Sequence, residues 1–162
     1  MVKVRIGTPE DVDGMMALAM AACAENGLTD PNPMKLLGQI WPSLNQEHGI
    51  IGVIGPVGGR LEAAILLRTE PLWYSDKLSI VERAVFVDPE FRNAKGGRAA
   101  RLIEFAKTAS ESLDMPLVIG ILSSQRAASK VKLYERHFGA PSGAYWIWHG
   151  KTGDWQNDSE QA

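Results

Sequence analysis

Val85-Phe86-Val87-Asp88-Pro89-Glu90-Phe91-Arg92-Asn93-Ala94-Lys95-Gly96-Gly97-Arg98-Ala99-Ala100-Arg101-Leu102 reads as a strand end, a short loop and a helix that begins at two glycines. A helix start carries backbone N–H groups without intrahelical partners and a partial positive charge, so it attracts anions, phosphate above all. Glycine at that point lets an anion approach the backbone with no Cβ in the way. The first turn of a helix normally favours Asp or Glu. Here Arg92, Lys95, Arg98 and Arg101 crowd it instead, and no acidic residue stands between Glu90 and Glu104. Such an excess of cations costs helix stability unless an anion offsets it. The competing reading is a solvated basic helix face with a glycine-rich entry.

Working outward, the helix is marked by Ala99, Leu102, Ile103, Ala106, Ala109 and Leu113 at helical spacing, with Arg101, Glu104, Lys107 and Glu111 on the other face. Ile80–Val87 before it is rich in β-branched residues, and Leu117–Leu122 after it is apolar throughout, as a parallel strand covered on both faces would be. Further upstream, Gly49–Gly55 and Arg60–Glu70 read as a hairpin turning at Gly55-Pro56-Val57-Gly58-Gly59. Pro71–Lys77 is a loop carrying Trp73 and Tyr74. Val2, Val4 and Ile6 alternate with Lys3 and Arg5 as in a half-buried strand. Thr8 then caps a helix to about Glu25, with Pro9 at its first position and Asp11 closing a capping pair. A second helix is expected over Met34–Asn45. Downstream, Ser123-Ser124 can cap a helix over Arg126–Phe138, and Tyr145–Trp148 has the pattern of a last strand. Residues 1–149 are expected to form one domain and 150–162 a polar, flexible tail.

Hairpin strands are antiparallel, whereas a strand–helix–strand crossover makes its strands parallel. The sheet is therefore mixed α/β, which excludes a purely parallel doubly wound fold. The net charge of -2 argues against a dedicated nucleic-acid binder. A single cysteine, Cys23, cannot form an internal disulfide, and its Ala-rich surroundings suit a small core residue. No run approaches the ~20 apolar residues of a membrane helix, and Val2–Ile6 is too short for a signal-peptide core. The expectation is a cytoplasmic protein. His48, His137 and His149 are dispersed, so no metal is expected. Two other glycine-bearing or strand–helix junctions are decoys. A strand follows Gly55–Arg60, and Glu10 and Asp11 at the first junction would repel phosphate. The glycine fingerprints of dinucleotide and triphosphate loops are absent.

At Val87, Pro89, Arg92, Gly97 and Leu102 the chain resembles the GNAT superfamily of acetyltransferases. That family's loop usually has Gly three and five positions after the Arg. Here Lys95 takes the first place, Gly97 keeps the second, and Gly96 lies between. The resemblance follows the order of elements over about residues 2–148, with motif support only from Ile80 to Phe138. It implies a central mixed sheet of six to seven strands flanked by about four helices. It also implies acetyl-CoA as donor substrate and a primary amine of a small molecule or a peptide as acceptor. The backbone of Val85, Phe86 and Val87 would pair with the pantetheine arm. Backbone N–H groups of Asn93, Ala94, Lys95, Gly96, Gly97 and Arg98 would hold the pyrophosphate, with the Lys95 and Arg98 side chains as added charge. The resemblance further implies a homodimer, with Tyr145–Trp148 either at its interface or in the core under the last helix.

Amine attack on a thioester needs a neutral amine, a polarised carbonyl and a proton for the departing thiolate. A strand N–H near Phe86 or Val87 can polarise the carbonyl. Tyr134, within Leu133-Tyr134-Glu135-Arg136-His137-Phe138, resembles the family's thiolate-protonating tyrosine, although a core tyrosine would have the same pattern. The family often has Asn seven residues earlier; Ala127 stands there. Glu82 interrupts an apolar strand and is the general-base candidate, burial raising its pKa, unless it faces outward beside Arg83. A bulge in this strand would reverse its face. Glu70, Trp73 and Tyr74 are candidates for the acceptor pocket. Two other readings remain: a catalytically silent CoA-binding or interaction module, and an anion site for another nucleotide.

Overall fold

The computed structural model describes residues 1–123 and 125–148. The expected tail over residues 150–162 lies outside them. The chain divides into two compact units: Met1–Ala21 with Asn32–Ile119, and Ala22–Pro31 with the described residues from Gly120 onward. The first contains the sheet: β1 (Arg5–Ile6), β2 (Gly49–Ile54), β3 (Ala63–Pro71), β4 (Leu78–Val87) and β5 (Leu117–Val118). They lie in that spatial order, antiparallel except for the parallel pair β4–β5. The mixed sheet inferred from chain order is what forms.

Local chemistry sets the helix starts. The Thr8 N–H donates to Asp11 Oδ2 at 2.8 Å, closing the capping pair. Pro9–Asp11 is a 3-10 turn, and α1 (Val12–Asn26) continues from it. Asn32 caps α2 (Pro33–Leu44), its side chain accepting from the N–H of Met34 and Lys35 at 3.0 and 3.2 Å. α3 (Arg98–Leu113) buries Leu102, Ile103 and Ala106, the stripe read from its periodicity. Each large side chain so buried contributes about 2 kcal/mol.

The sheet separates two apolar layers. On one face Ile51, Val53, Ala64 and Leu66 pack with Met15, Leu18, Ile40 and Leu44 of α1 and α2. On the other, Ile54, Ala63, Ile65, Leu67 and Ile80 pack with Leu102 and Ala106 of α3. β2 is buried almost throughout because it is central and covered on both faces.

Four expectations are corrected. Five strands form among the described residues, not six to seven. β5 is limited to Leu117–Val118, and Ile119–Leu122 alternates between half-buried and exposed. Among the described residues it pairs on one side only, so continuous apolarity does not mean cover on both faces. Tyr145–Trp148 forms no strand; Tyr145, Trp146 and Trp148 are exposed, and aromatic content alone supplies no pairing partner. In the second unit, left-handed Arg126 stands at the N-cap of α4 (Ala127–Phe138) and makes no side-chain cap bond; Ser124 lies outside the described residues. The Ser123 hydroxyl instead donates to the Gln125 carbonyl at 2.8 Å.

Candidate functional site

β4 is bonded to β3 along its whole length, whereas β5 pairs only with Ile80 and Val81. Among the described residues no strand pairs with that edge of β4 from Glu82 to Val87. An open edge presents backbone N–H and C=O groups to an extended ligand. Within this segment the β3–β4 register skips: Leu66 faces Ala84 and Leu67 faces Glu82, leaving Arg83 as the extra residue of a bulge.

The loop after β4 is tied down residue by residue. Asp88 accepts the Glu90 N–H at 3.0 Å and opens a 3-10 turn over Pro89–Phe91. That bond, with the neighbouring Arg60 guanidinium, holds the Asp88 carboxyl below its ordinary range. Arg92 turns back, donating from Nε to the Val87 carbonyl at 3.0 Å and lying 5.2 Å from the Phe86 ring centre. The Ala94 N–H is satisfied by the Phe91 carbonyl.

Beyond it the backbone opens. The N–H groups of Asn93, Lys95, Gly96, Gly97, Arg98, Ala99 and Ala100 meet no acceptor among the described residues. The first bond into α3 runs from the Arg101 N–H to the Gly97 carbonyl at 3.0 Å. Gly97, the N-cap, is left-handed at φ 56°, supplies no side-chain cap, and no acid lies in the first turn. Gly96 has φ 119°, and a Cβ there would sit 2.5 Å from Val2 Cγ2. The two glycines shape a nest of donors that no group among the described residues fills. This fits a phosphate ester or pyrophosphate, and it adjoins the end of the open β4 edge.

No protein-family model and no curated protein matches the chain. Solved structures do. AAC(6')-Iy, in complex with a CoA-S-monomethyl-acetylneamine bisubstrate analog, superposes with a TM-score of 0.68 at 14% identity, covering 91% of this chain and 97% of that one. Ribosomal-protein-alanine N-acetyltransferase from Brucella melitensis biovar Abortus 2308 gives 0.65 at 15% identity, covering 91% and 98%. Integron cassette protein HFX_CASS3, from the mobile metagenome of Cole Harbour Salt Marsh, gives 0.68 at 18% identity, covering 94% and 93%. The chain has the GNAT fold.

On this GNAT fold the residues singled out in the sequence lie in different places. Val85, Phe86 and Val87 are half-buried at the end of β4, and Asn93, Ala94, Lys95 and Gly97 are exposed in the loop. Arg98 is buried, 9% exposed. Its Nε meets Glu62 Oε2 at 2.7 Å and its Nη1 meets the Lys95 carbonyl at 3.1 Å. Arg101 donates to the Gly96 carbonyl at 2.7 Å. Glu82 is half-buried and paired opposite Leu67, which belongs to the α3-side layer. Arg83 turns to Glu70 at 2.6 Å. Tyr134 lies on α4 in the second unit, half-buried, its ring edge-on to Phe138 at 6.0 Å. Trp73 and Tyr74 are exposed between β3 and β4, edge to face at 5.5 Å.

Sequence reasoning missed Arg60, Glu62 and Val2. Arg60 lies 5.4 Å from the Phe91 ring centre and pairs with Asp88 and Glu90 at 3.0 and 2.7 Å. A signal for Glu62 existed. Ala63 faces Val87, so Glu62 falls beside Asp88, whose N–H its carbonyl accepts at 2.9 Å. A buried arginine on the adjoining helix needs an acid nearby. Among the described residues no group of three or more His, Cys, Asp or Glu is placed to hold a metal ion. No helix among them is long and apolar enough to cross a membrane.

Proposed function

We propose that the chain is an acetyl-CoA-dependent N-acetyltransferase acting on a primary amine of a small molecule or a peptide. One observation carries the reading: among the described residues, the edge of β4 over Ala84–Val87 pairs with no strand and runs directly into a loop of amides that meet no acceptor, with no acid at the helix start. The edge suits the pantetheine arm, whose amides match strand hydrogen bonding. The nest suits the pyrophosphate. A structural neighbour of this fold holding a CoA-derived bisubstrate analog supports the same pairing of ligand and fold.

In this reading the amides of Asn93 and Lys95–Arg98 fix the pyrophosphate, with the exposed Lys95 ammonium beside them. Arg92 acts on the loop by clamping the Val87 carbonyl. The acetyl carbonyl then lies along β4, where a strand N–H near Phe86 or Val87 polarises it. The amine nitrogen bonds to the carbonyl carbon and the carbon–sulfur bond breaks. Glu82, on the bulged part of β4, takes the proton that the amine releases, and the thiolate sulfur takes up a proton in its turn, the role the family resemblance implies for Tyr134.

Isothermal titration of the purified protein with acetyl-CoA, with ATP and NAD alongside, tests the reading. Saturable binding of acetyl-CoA alone, followed by CoA release in an amine screen, is the expected result. Failure to bind acetyl-CoA in protein free of co-purified ligand would overturn it. Binding with no turnover on any amine would leave a silent CoA-binding module.

A further inference from the structure

Arg98 has the position of a phosphate-binding cation, one residue past the second glycine, and the geometry around it assigns a different task. Its guanidinium is buried, bonded through Nε to Glu62 and through Nη1 to the Lys95 carbonyl, and it lies 5.0 Å from the Phe91 ring centre. A second guanidinium near Phe91 is that of Arg60, 5.4 Å from the ring centre and itself paired with Asp88 and Glu90. Phe91 thus meets two ion-paired arginines, both tied to acids just before β3 or at the 3-10 turn. Glu62 also accepts the Asp88 N–H through its backbone carbonyl at 2.9 Å. One residue at the start of β3 therefore fixes the end of β4 with its carbonyl and the start of α3 with its carboxylate.

We propose that Glu62 and Arg98 are positioning residues that hold the Lys95–Gly97 backbone in its anion-receiving shape, acting on the phosphate through the loop and not by contact. This deepens the acetyl-CoA reading and rests on it. The Lys95 carbonyl is drawn inward by Arg98. A peptide plane with its carbonyl directed inward presents the following N–H, that of Gly96, on its opposite side. Losing either partner frees that plane to rotate. The nest then loses its convergence while keeping its charge.

The two roles predict opposite signs. A direct phosphate ligand released from its carboxylate partner would bind a polyanion at least as well, because Glu62→Gln removes a nearby negative charge. A positioning pair behaves otherwise. Glu62→Gln is expected to weaken acetyl-CoA binding about tenfold despite the more positive field. Arg98→Lys, which keeps the charge but cannot span Glu62 and the Lys95 carbonyl with a planar fork, is expected to do the same. Affinity for acetyl-pantetheine, which lacks the pyrophosphate, should stay within about twofold in both variants, since the β4 edge is untouched. Titration calorimetry of wild type and both variants with the two ligands reads this out. Unchanged or tighter acetyl-CoA binding by Glu62→Gln, or full retention by Arg98→Lys, overturns the inference alone. Equal losses for both ligands overturn it too, because they reveal only a loosened domain. Absence of acetyl-CoA binding by wild type would remove the underlying reading and this inference with it.

Discussion

Replacing Gly97 with Glu separates the cradle from the helix it begins. The residue has φ 56° and ψ 50°, and a Cβ there would meet only Ala100 Cβ, at 4.0 Å. The substitution is therefore strained but not crowded. A left-handed non-glycine residue costs about 1 kcal/mol. A carboxylate at a helix N-terminus returns about 0.5 kcal/mol. Folding stability should thus fall by roughly 0.5 kcal/mol, within reach of a thermal-shift measurement. Binding should change far more. A carboxylate about 6 Å from a pyrophosphate of roughly two negative charges costs about 1.4 kcal/mol at water's dielectric and about 5.5 kcal/mol at an effective value of 20. The geometric mean of those two limits, about 2.8 kcal/mol, is about a hundredfold in Kd. Gly97→Gln is the control, with equal strain and no charge. Calorimetry with acetyl-CoA should place Gln within about threefold of wild type and Glu about a hundredfold below, and added salt should narrow the gap. Equal affinities for the Glu and Gln variants would refute the placement of the phosphates at this helix end.

Gly96→Ala should act sterically, since its Cβ would sit 2.5 Å from Val2 Cγ2 at φ 119°; a loss of about 2 kcal/mol in chemical denaturation and weaker acetyl-CoA binding are expected together. Asp11, fully buried, is held at about 2 instead of its ordinary 3.8 chiefly by its hydrogen bonds from Arg5, at 2.8 Å, with the Thr8 and Gly58 N–H groups adding to it. Its folded-state pKa is depressed, so its contribution of about 2 kcal/mol is present above pH ~4 and lost as pH falls toward 2. Urea titrations at pH 5 and pH 2.5 should show that loss in wild type, and Asp11→Asn should flatten it. Tyr134→Phe should lower kcat at least tenfold while acetyl-CoA affinity stays within about threefold; unchanged turnover in a steady-state CoA-release assay would make the residue structural.

What was legible in the sequence was local. The Thr8–Asp11 capping pair, the α3 stripe of Leu102, Ile103 and Ala106, and the hairpin turn at Gly55–Gly59 all depend on residues a few positions apart. Their order sufficed for a mixed sheet. Features set by distant partners were not legible. Leu117–Leu122 is apolar, but among the described residues only β4 pairs with it, at two positions, and nothing in the segment records that. The bulge at Arg83 depends on how β4 meets Leu66 and Leu67, and it decides the face of Glu82. Alternation within β4 cannot reveal a register skip.

The four cations that first suggested an anion site also need reinterpreting. Arg92, Arg98 and Arg101 direct donors to the carbonyls of Val87, Lys95 and Gly96. A guanidinium bonded to a carbonyl keeps its full charge, so these contacts leave the local field positive while fixing the backbone. Glu62 pairs with Arg98. Among the described residues the amides, not the arginines, are then the groups left without an acceptor, and Lys95 is the cation beside them in the loop. Charge density in a sequence marks where an anion is welcome. Which atoms touch it depends on which donors the fold has already engaged. In the proposed reading the arginines build the cradle and the backbone does the holding.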